Sequence, residues 1–204
     1  MQNTAQPTSQ ERPLSSRDEH QSADSQQLRQ LVNSFRSETL IRIPGPPAYN
    51  TPASRTLLAH GASAVPYLLE GLTNPDPNIR RHSAFVLAQL RMSTSLDPLK
   101  AASEREFEHL RATGAAQDPR ATAPLEMMII AMSRVSPAAT LEWLAQGGNL
   151  SIRERYRSIA IIVNDPPVCG SDSDTFCRDR LRRWWSRHRA RPQDPIRQQP
   201  WLAN

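Results

Sequence analysis

Within residues 61–91, GASAVPYLLEGLTNPDPNIRRHSAFVLAQLR, the apolar positions fall into two stripes at helical spacing. Val65, Leu68, Leu69 and Leu72 stand at i, i+3, i+4 and i+7, one face of an α-helix. Gly71 and Thr73 weaken the end of that helix. Asn74-Pro75 stops it, because a residue before proline avoids the helical region. Asp76 then supplies an N-cap oxygen, and Pro77 fits the first helical position, where a missing N–H costs nothing. Ile79, Ser83, Val86, Leu87 and Leu90 form the second stripe, with Arg80 and Arg81 on the outer side of its first turn. One such hairpin cannot bury both apolar faces by itself and needs similar neighbours.

The rest of the chain supplies them. Residues 1–21, rich in Gln, Ser, Thr and Pro, have no periodicity and predict a disordered tail. Leu28, Leu31, Val32 and Phe35 predict a helix capped by Ser22 or Asp24, and residues 41–50 a proline-bound connector. Thr51-Pro52 opens a short helix with Leu57 and Leu58 inward, ended by Gly61. Asp97-Pro98 repeats the cap-plus-proline start. Its helix carries only a thin stripe, Leu99, Ala102, Phe107 and Leu110; Glu104, Arg105, Glu106, Glu108 and Arg111 fill the remainder, which predicts a surface helix. The run LEMMIIAMSRV, 125–135, is apolar nearly all round and predicts a helix covered on most sides, its methionines being core. Ser136-Pro137 and Ser151 cap two more helices, carrying Leu141, Trp143 and Leu144, then Ile152, Tyr156, Ile159, Ala160 and Val163. A last helix over 174–189 presents Cys177, Leu181, Trp184 (or Trp185) and His188 on one face, and residues 191–204 read as a flexible tail. The expectation is an all-α domain spanning 22–190.

Ala64-Val65-Pro66 with Leu68-Leu69, then Asp76-Pro77-Asn78-Ile79-Arg80, then Ala84 and Leu87, resemble a HEAT-like repeat of the bacterial phycobilin-lyase type. Residues 136–164 echo it, with Ile152-Arg153 in the place of Ile79-Arg80 and Gly-Gly-Asn in place of the Asp-Pro turn. The resemblance implies a short α-solenoid, a right-handed stack of antiparallel helix pairs, with Asp76 and Arg80 making a structural ladder between repeats. It also implies that an Arg-rich, Trp-anchored last helix closes the stack with a polar outer face. Relatives of this repeat type include bilin lyases and DNA glycosylases, but no catalytic motif of either maps onto positions here.

Composition narrows the chemistry. The chain has 204 residues, a net charge of +5 and a single lysine, Lys100, so arginine supplies nearly all the positive charge. Eight arginines lie between Arg178 and Arg197 against Asp179 and Asp194, and the rest is close to neutral. No run of ~18 apolar residues exists, so no membrane span is expected. The first twenty residues lack the apolar core of a secretory signal, which makes the cytoplasm the default location. Cys169 and Cys177 have no histidine nearby and do not make a zinc site. They are a candidate disulfide worth about 2–3 kcal/mol. In a reducing cytosol they would stay free thiols, and a bridge would argue for an extracytoplasmic home. The five histidines are scattered, and there is no Walker A loop, dinucleotide turn or G-x-S-x-G elbow. Glu104, Glu106 and Glu108 alternate, so they point apart on a helix and are not a paired acid/base site. Asp172 and Asp174 lack the spacing of a calcium loop and read as a cap for the last helix. No cofactor or catalytic set is expected.

Two functions follow. One is a non-catalytic scaffold holding a protein partner, for which Arg153, Arg155 or Arg157 on an outward helix face could matter. The alternative is binding of nucleic acid or another polyanion through Arg178, Arg180, Arg182, Arg183, Arg187, Arg189 and Arg191, with Trp184 or Trp185 stacking on bases. Against that stand a solubilising role for the arginines and a core role for the tryptophans.

Overall fold

A computed structural model of the chain describes residues 16–38, 51–147, 150–170 and 173–192. The N-terminal tail as far as residue 15, the connector at 41–50 and the C-terminal tail beyond 192 lie outside the described residues. Every regular element among the described residues is helical, so the chain is all-α. The α-helices are α1 (Ser16–Ser34), α2 (Pro52–His60), α3 (Val65–Gly71), α4 (Pro77–Leu90), α5 (Leu96–Thr113), α6 (Pro119–Val135), α7 (Pro137–Gln146), α8 (Ile152–Ile162) and α9 (Asp174–His188).

The caps fall where short polar side chains precede proline or an acid. Thr51, Asp76, Asp118 and Ser136 each accept a backbone N–H from the following turn, and proline follows each directly. Ser151 and Glu154 form a reciprocal capping box at α8, and Ser173 caps α9. Three starts differ from expectation, the first being α6, which begins at Pro119 behind the Asp118 cap rather than at Leu125 and takes Pro124 into its early turns. α1 begins at Ser16 rather than at a Ser22 or Asp24 cap, so residues 16–21 belong to a helix and not to the tail. Arg17, Glu19 and Gln21 propagate a helix without needing an apolar face. α5 begins at Leu96, which puts Asp97-Pro98 inside its first turn rather than at its cap.

α6 is the most enclosed helix, as its apolar run predicts. Met128, Ile129 and Met132 are wholly buried, and α6 packs on α4, α5, α7 and α8. α2, α4, α6 and α8 each pack on the next of the four, while α1 packs on α3 and α7 on α9. α4 is more enclosed than its single stripe implies: everything from Arg81 to Ala88 is buried. Arg81 is therefore not on an outer side, and Arg80 is only 13% exposed at its side chain.

The reason is a neighbour. Arg80 donates through Nη2 to Glu106 Oε1 at 2.9 Å, its Nε lies 2.9 Å from Oε2, and Nη1 bonds the carbonyls of Asn74 and Pro75. Glu106, expected on the solvent side of α5, is thus buried, with its side chain 5% exposed. Asp76 faces the other way, 3.5 Å from Arg36. Further along, Arg29 meets Glu70 and Arg111 meets Glu154, pairs that join α1 to α3 and α5 to α8. The exposed pairs contribute little, whereas the buried one is costly to break from one side, because the remaining charge stays buried without its partner.

Gly71 also has a tertiary role. A Cβ there would overlap the Ser83 hydroxyl and lie 3.1 Å from Val32 Cγ1, so its missing side chain lets α3 approach both α4 and α1.

Candidate binding groove

The C-terminal third places most of the charge. Between residues 150 and 192 ten arginines face five acids, which accounts for the whole net charge of +5. α7, α8 and α9 pack on one another there. α9 buries Cys177, Leu181 and Trp184, and His188 completes that face, its ring tilted against Trp184 at 4.6 Å between centroids.

Cys169 and Cys177 are joined in a disulfide, their Cα atoms 5.5 Å apart, so of the two states the sequence left open it is the bridge that forms. Three further ties hold the same loop and helix. Tyr156 donates its hydroxyl to the Cys177 carbonyl at 2.8 Å. Arg180 donates to the Val168 carbonyl. The Arg180 guanidinium also lies 4.9 Å above the Phe176 ring.

Between α8 and this bridged loop runs an open groove of about 670 Å3. Arg153 and Arg157, one helical turn apart and both exposed, form one wall. Tyr156 and Ala160 of α8 also line the groove, and Pro167 to Gly170 line it from the loop. Val168 is 68% exposed and Phe176 45%, the two large hydrophobic residues that stand in solvent among the described residues. Both therefore sit at this end of the molecule, linked by Arg180. Arg155 does not join the groove wall. It donates to the Leu150 carbonyl and packs over Gly147, where burial and the nearby Arg178 charge push its pKa down.

The α9 arginines do not make one surface. Residues four or eleven apart share a side of a helix, and those two or nine apart lie on opposite sides. Within α9, Arg178 and Arg182 fall on one side and Arg180 and Arg187 on the other, Arg183 lying nearer the second set, while Arg189 and Arg191 come after the helix ends at His188. The buried Cys177/Leu181/Trp184 face separates them. All but Arg180 are exposed, and Arg182 lies 3.7 Å from Asp179. Trp184 is 4% exposed, and the half-buried Trp185 packs against the core, so neither ring stands out as a stacking platform. The sequence offered Trp184 as an anchor or as a base-stacker; packing under α9 makes it an anchor.

Elsewhere one buried pair stands apart. His82 stacks on Phe35 at 4.9 Å, and its Nδ1 lies 3.5 Å from Glu38 Oε2. Burial, with a smaller contribution from Arg81, lowers the His82 pKa to about 4, and burial raises that of Glu38. A second, narrower cleft of about 30 Å3 lies between α5, α6 and α8, room for one water. Glu126 lines it, accepting from Thr122, and burial raises its pKa. Among the described residues no three His, Cys, Asp or Glu side chains come together as metal ligands, and no helix is long and apolar enough to cross a membrane.

The chain matches no protein-family model, no curated protein and no solved structure at a significant level.

Proposed function

We propose that the chain is a short α-solenoid of HEAT-like type that serves as a non-catalytic scaffold for a protein partner. The solenoid reading is supported by the packing order, in which α2, α4, α6 and α8 follow one another as a row. The observation that carries the function is the open groove of Arg153, Arg157 and Val168, with Phe176 close by. Arginine beside exposed apolar side chains is what protein interfaces are built from. The alternative, a polyanion site on α9, has less support, because its arginines divide between two sides and its tryptophans are covered. The Cys169–Cys177 bridge favours an oxidising, extracytoplasmic compartment over the cytoplasm.

The test compares two kinds of retention. Immobilised full-length protein is expected to capture a defined partner that survives high salt, while its retention on heparin stays weak and is lost early in a salt gradient. Tight heparin retention abolished by Arg182→Glu with Arg183→Glu, without a salt-tolerant partner, would instead establish the polyanion reading.

A further inference from the structure

We propose that the groove between α8 and the Pro167–Gly170 loop is a docking site for an extended, acidic and partly apolar segment of a partner protein, and that the Cys169–Cys177 bridge builds its second wall. This rests on the scaffold reading and adds the chemistry of the segment and the redox state that binds it.

Charge selects the occupant. Arg153 and Arg157 lie four residues apart on α8, a rise of about 6 Å. Acidic residues two apart on an extended strand present their carboxylates on one face at about 6.6 Å, which matches that step. Among the described residues no carboxylate lies within ion-pair distance of Arg153. Arg157 is exposed; it bonds the Ala116 carbonyl through Nη1, and its charge also acts on Glu126 across the neighbouring cleft, so it lines both openings. The groove volume, about 670 Å3, is within the range of pockets that hold several side chains.

Apolar surface selects against a bare polyanion. Val168, the most exposed large hydrophobic residue described, lines the groove together with Pro167. A phosphate backbone has nothing to place there. A peptide does, because the side chains between its acids point to the opposite face, toward the loop.

The loop wall is set by few ties. From Asn164 to Gly170 it carries no regular structure beyond turns. It is pinned by the disulfide at Cys169 and by Arg180 at Val168. Reduction removes the covalent tie and loosens the wall, leaving the Arg180 hydrogen bond at Val168, while α8 and its arginines stay in place.

Fluorescence polarisation on the full-length protein tests this with four labelled probes of equal length: a peptide alternating Asp and Leu, one alternating Asn and Leu, an all-Asp peptide and an oligothymidylate. The Asp/Leu peptide is expected to bind most tightly. Arg153→Glu with Arg157→Glu is expected to weaken it roughly tenfold or more. Cys169→Ser with Cys177→Ser should weaken it by a similar factor, and Arg182→Glu with Arg183→Glu should leave it unchanged. Far-ultraviolet circular dichroism confirms that each variant is folded. Equal binding of the Asn/Leu peptide, or indifference to the α8 charge reversal, overturns the proposal. Tighter binding of the oligothymidylate makes the site one for nucleic acid and overturns it too. Wild-type affinity in the folded cysteine variant overturns the role of the bridge. A salt-tolerant partner captured equally by wild type and the α8 double variant keeps the scaffold reading and ends the groove; capture of nothing by wild type ends the scaffold reading itself.

Discussion

Replacing Glu106 by alanine should be among the most destabilising single changes that leave the apolar core intact. Glu106 is 5% exposed and Arg80 13% at their side chains, with two nitrogen–oxygen approaches of 2.9 Å between them. Removing one member of a buried ion pair costs about 3–5 kcal/mol, because the remaining charge stays buried without its partner. Arg80 keeps two acceptors, the carbonyls of Asn74 and Pro75, at 2.9 and 2.8 Å. That places Glu106→Ala near the low end, about 3 kcal/mol. Arg80→Ala leaves a buried carboxylate and also releases both turn carbonyls, so it should cost more, nearer 5 kcal/mol. The double variant removes both charges, and the two costs should fall short of additivity by about 1–3 kcal/mol. Urea unfolding followed by circular dichroism measures all three, provided the denaturant slope stays constant across the set. For a domain of this size, 3 kcal/mol corresponds to a fall of roughly 6–12 °C in Tm. A Glu106→Ala cost below about 1 kcal/mol, or strict additivity in the double variant, would refute the claim that this pair binds α5 to the Asn74–Asp76 turn.

Three further outcomes are expected. The cysteines stand 8 positions apart, and closing so short a loop stabilises by about 2.5 kcal/mol on chain-entropy grounds, so Cys169→Ser with Cys177→Ser should lower unfolding stability by about that much. Gly71→Ala should destabilise by about 1–3 kcal/mol despite alanine's higher helix propensity, because the new Cβ meets Ser83 and Val32; a neutral or positive change in Tm would refute the close approach. His82 has a folded-state pKa of about 4 against an ordinary 6.5, so the unfolded chain binds its proton first as pH falls. Stability that is complete above pH 6.5 should decline through the window down to pH 4, by up to about 3 kcal/mol. Glu38, with its pKa raised by burial, works in the opposite sense and trims this slope at the acid end. Replacing His82 by glutamine should flatten the profile between those limits, and an unchanged profile would refute the assignment.

Helix and cap placement was largely legible in the chain. Apolar spacing marks α3, α4, α6 and α8, and short polar residues before proline mark where α2, α4 and α7 begin, because both signals act through neighbours a few residues apart. The anchoring face of α9, Cys177, Leu181, Trp184 and His188, was legible for the same reason. So were Arg153 and Arg157 as outward cations, and the two cysteines as a candidate pair.

Tertiary structure decided the rest, and in each case the cause lies far along the chain. Glu106 and its neighbours Glu104 and Glu108 are the same residue type at alternate positions, yet only Glu106 is buried, because Arg80 approaches it from 26 residues away. Gly71 looks like a helix-weakening residue until Ser83 and Val32 press against it. Arg155 has the same local pattern as Arg153 and Arg157 but turns to the Leu150 carbonyl and Gly147. The groove was not visible as a pattern, since its two walls come from α8 and from a loop without periodicity, brought together by the disulfide, by Arg180 and by Tyr156. Periodicity records which face of a helix is apolar; which charge finds a partner, and which loop folds back to make a wall, depends on distances set only when the helices pack.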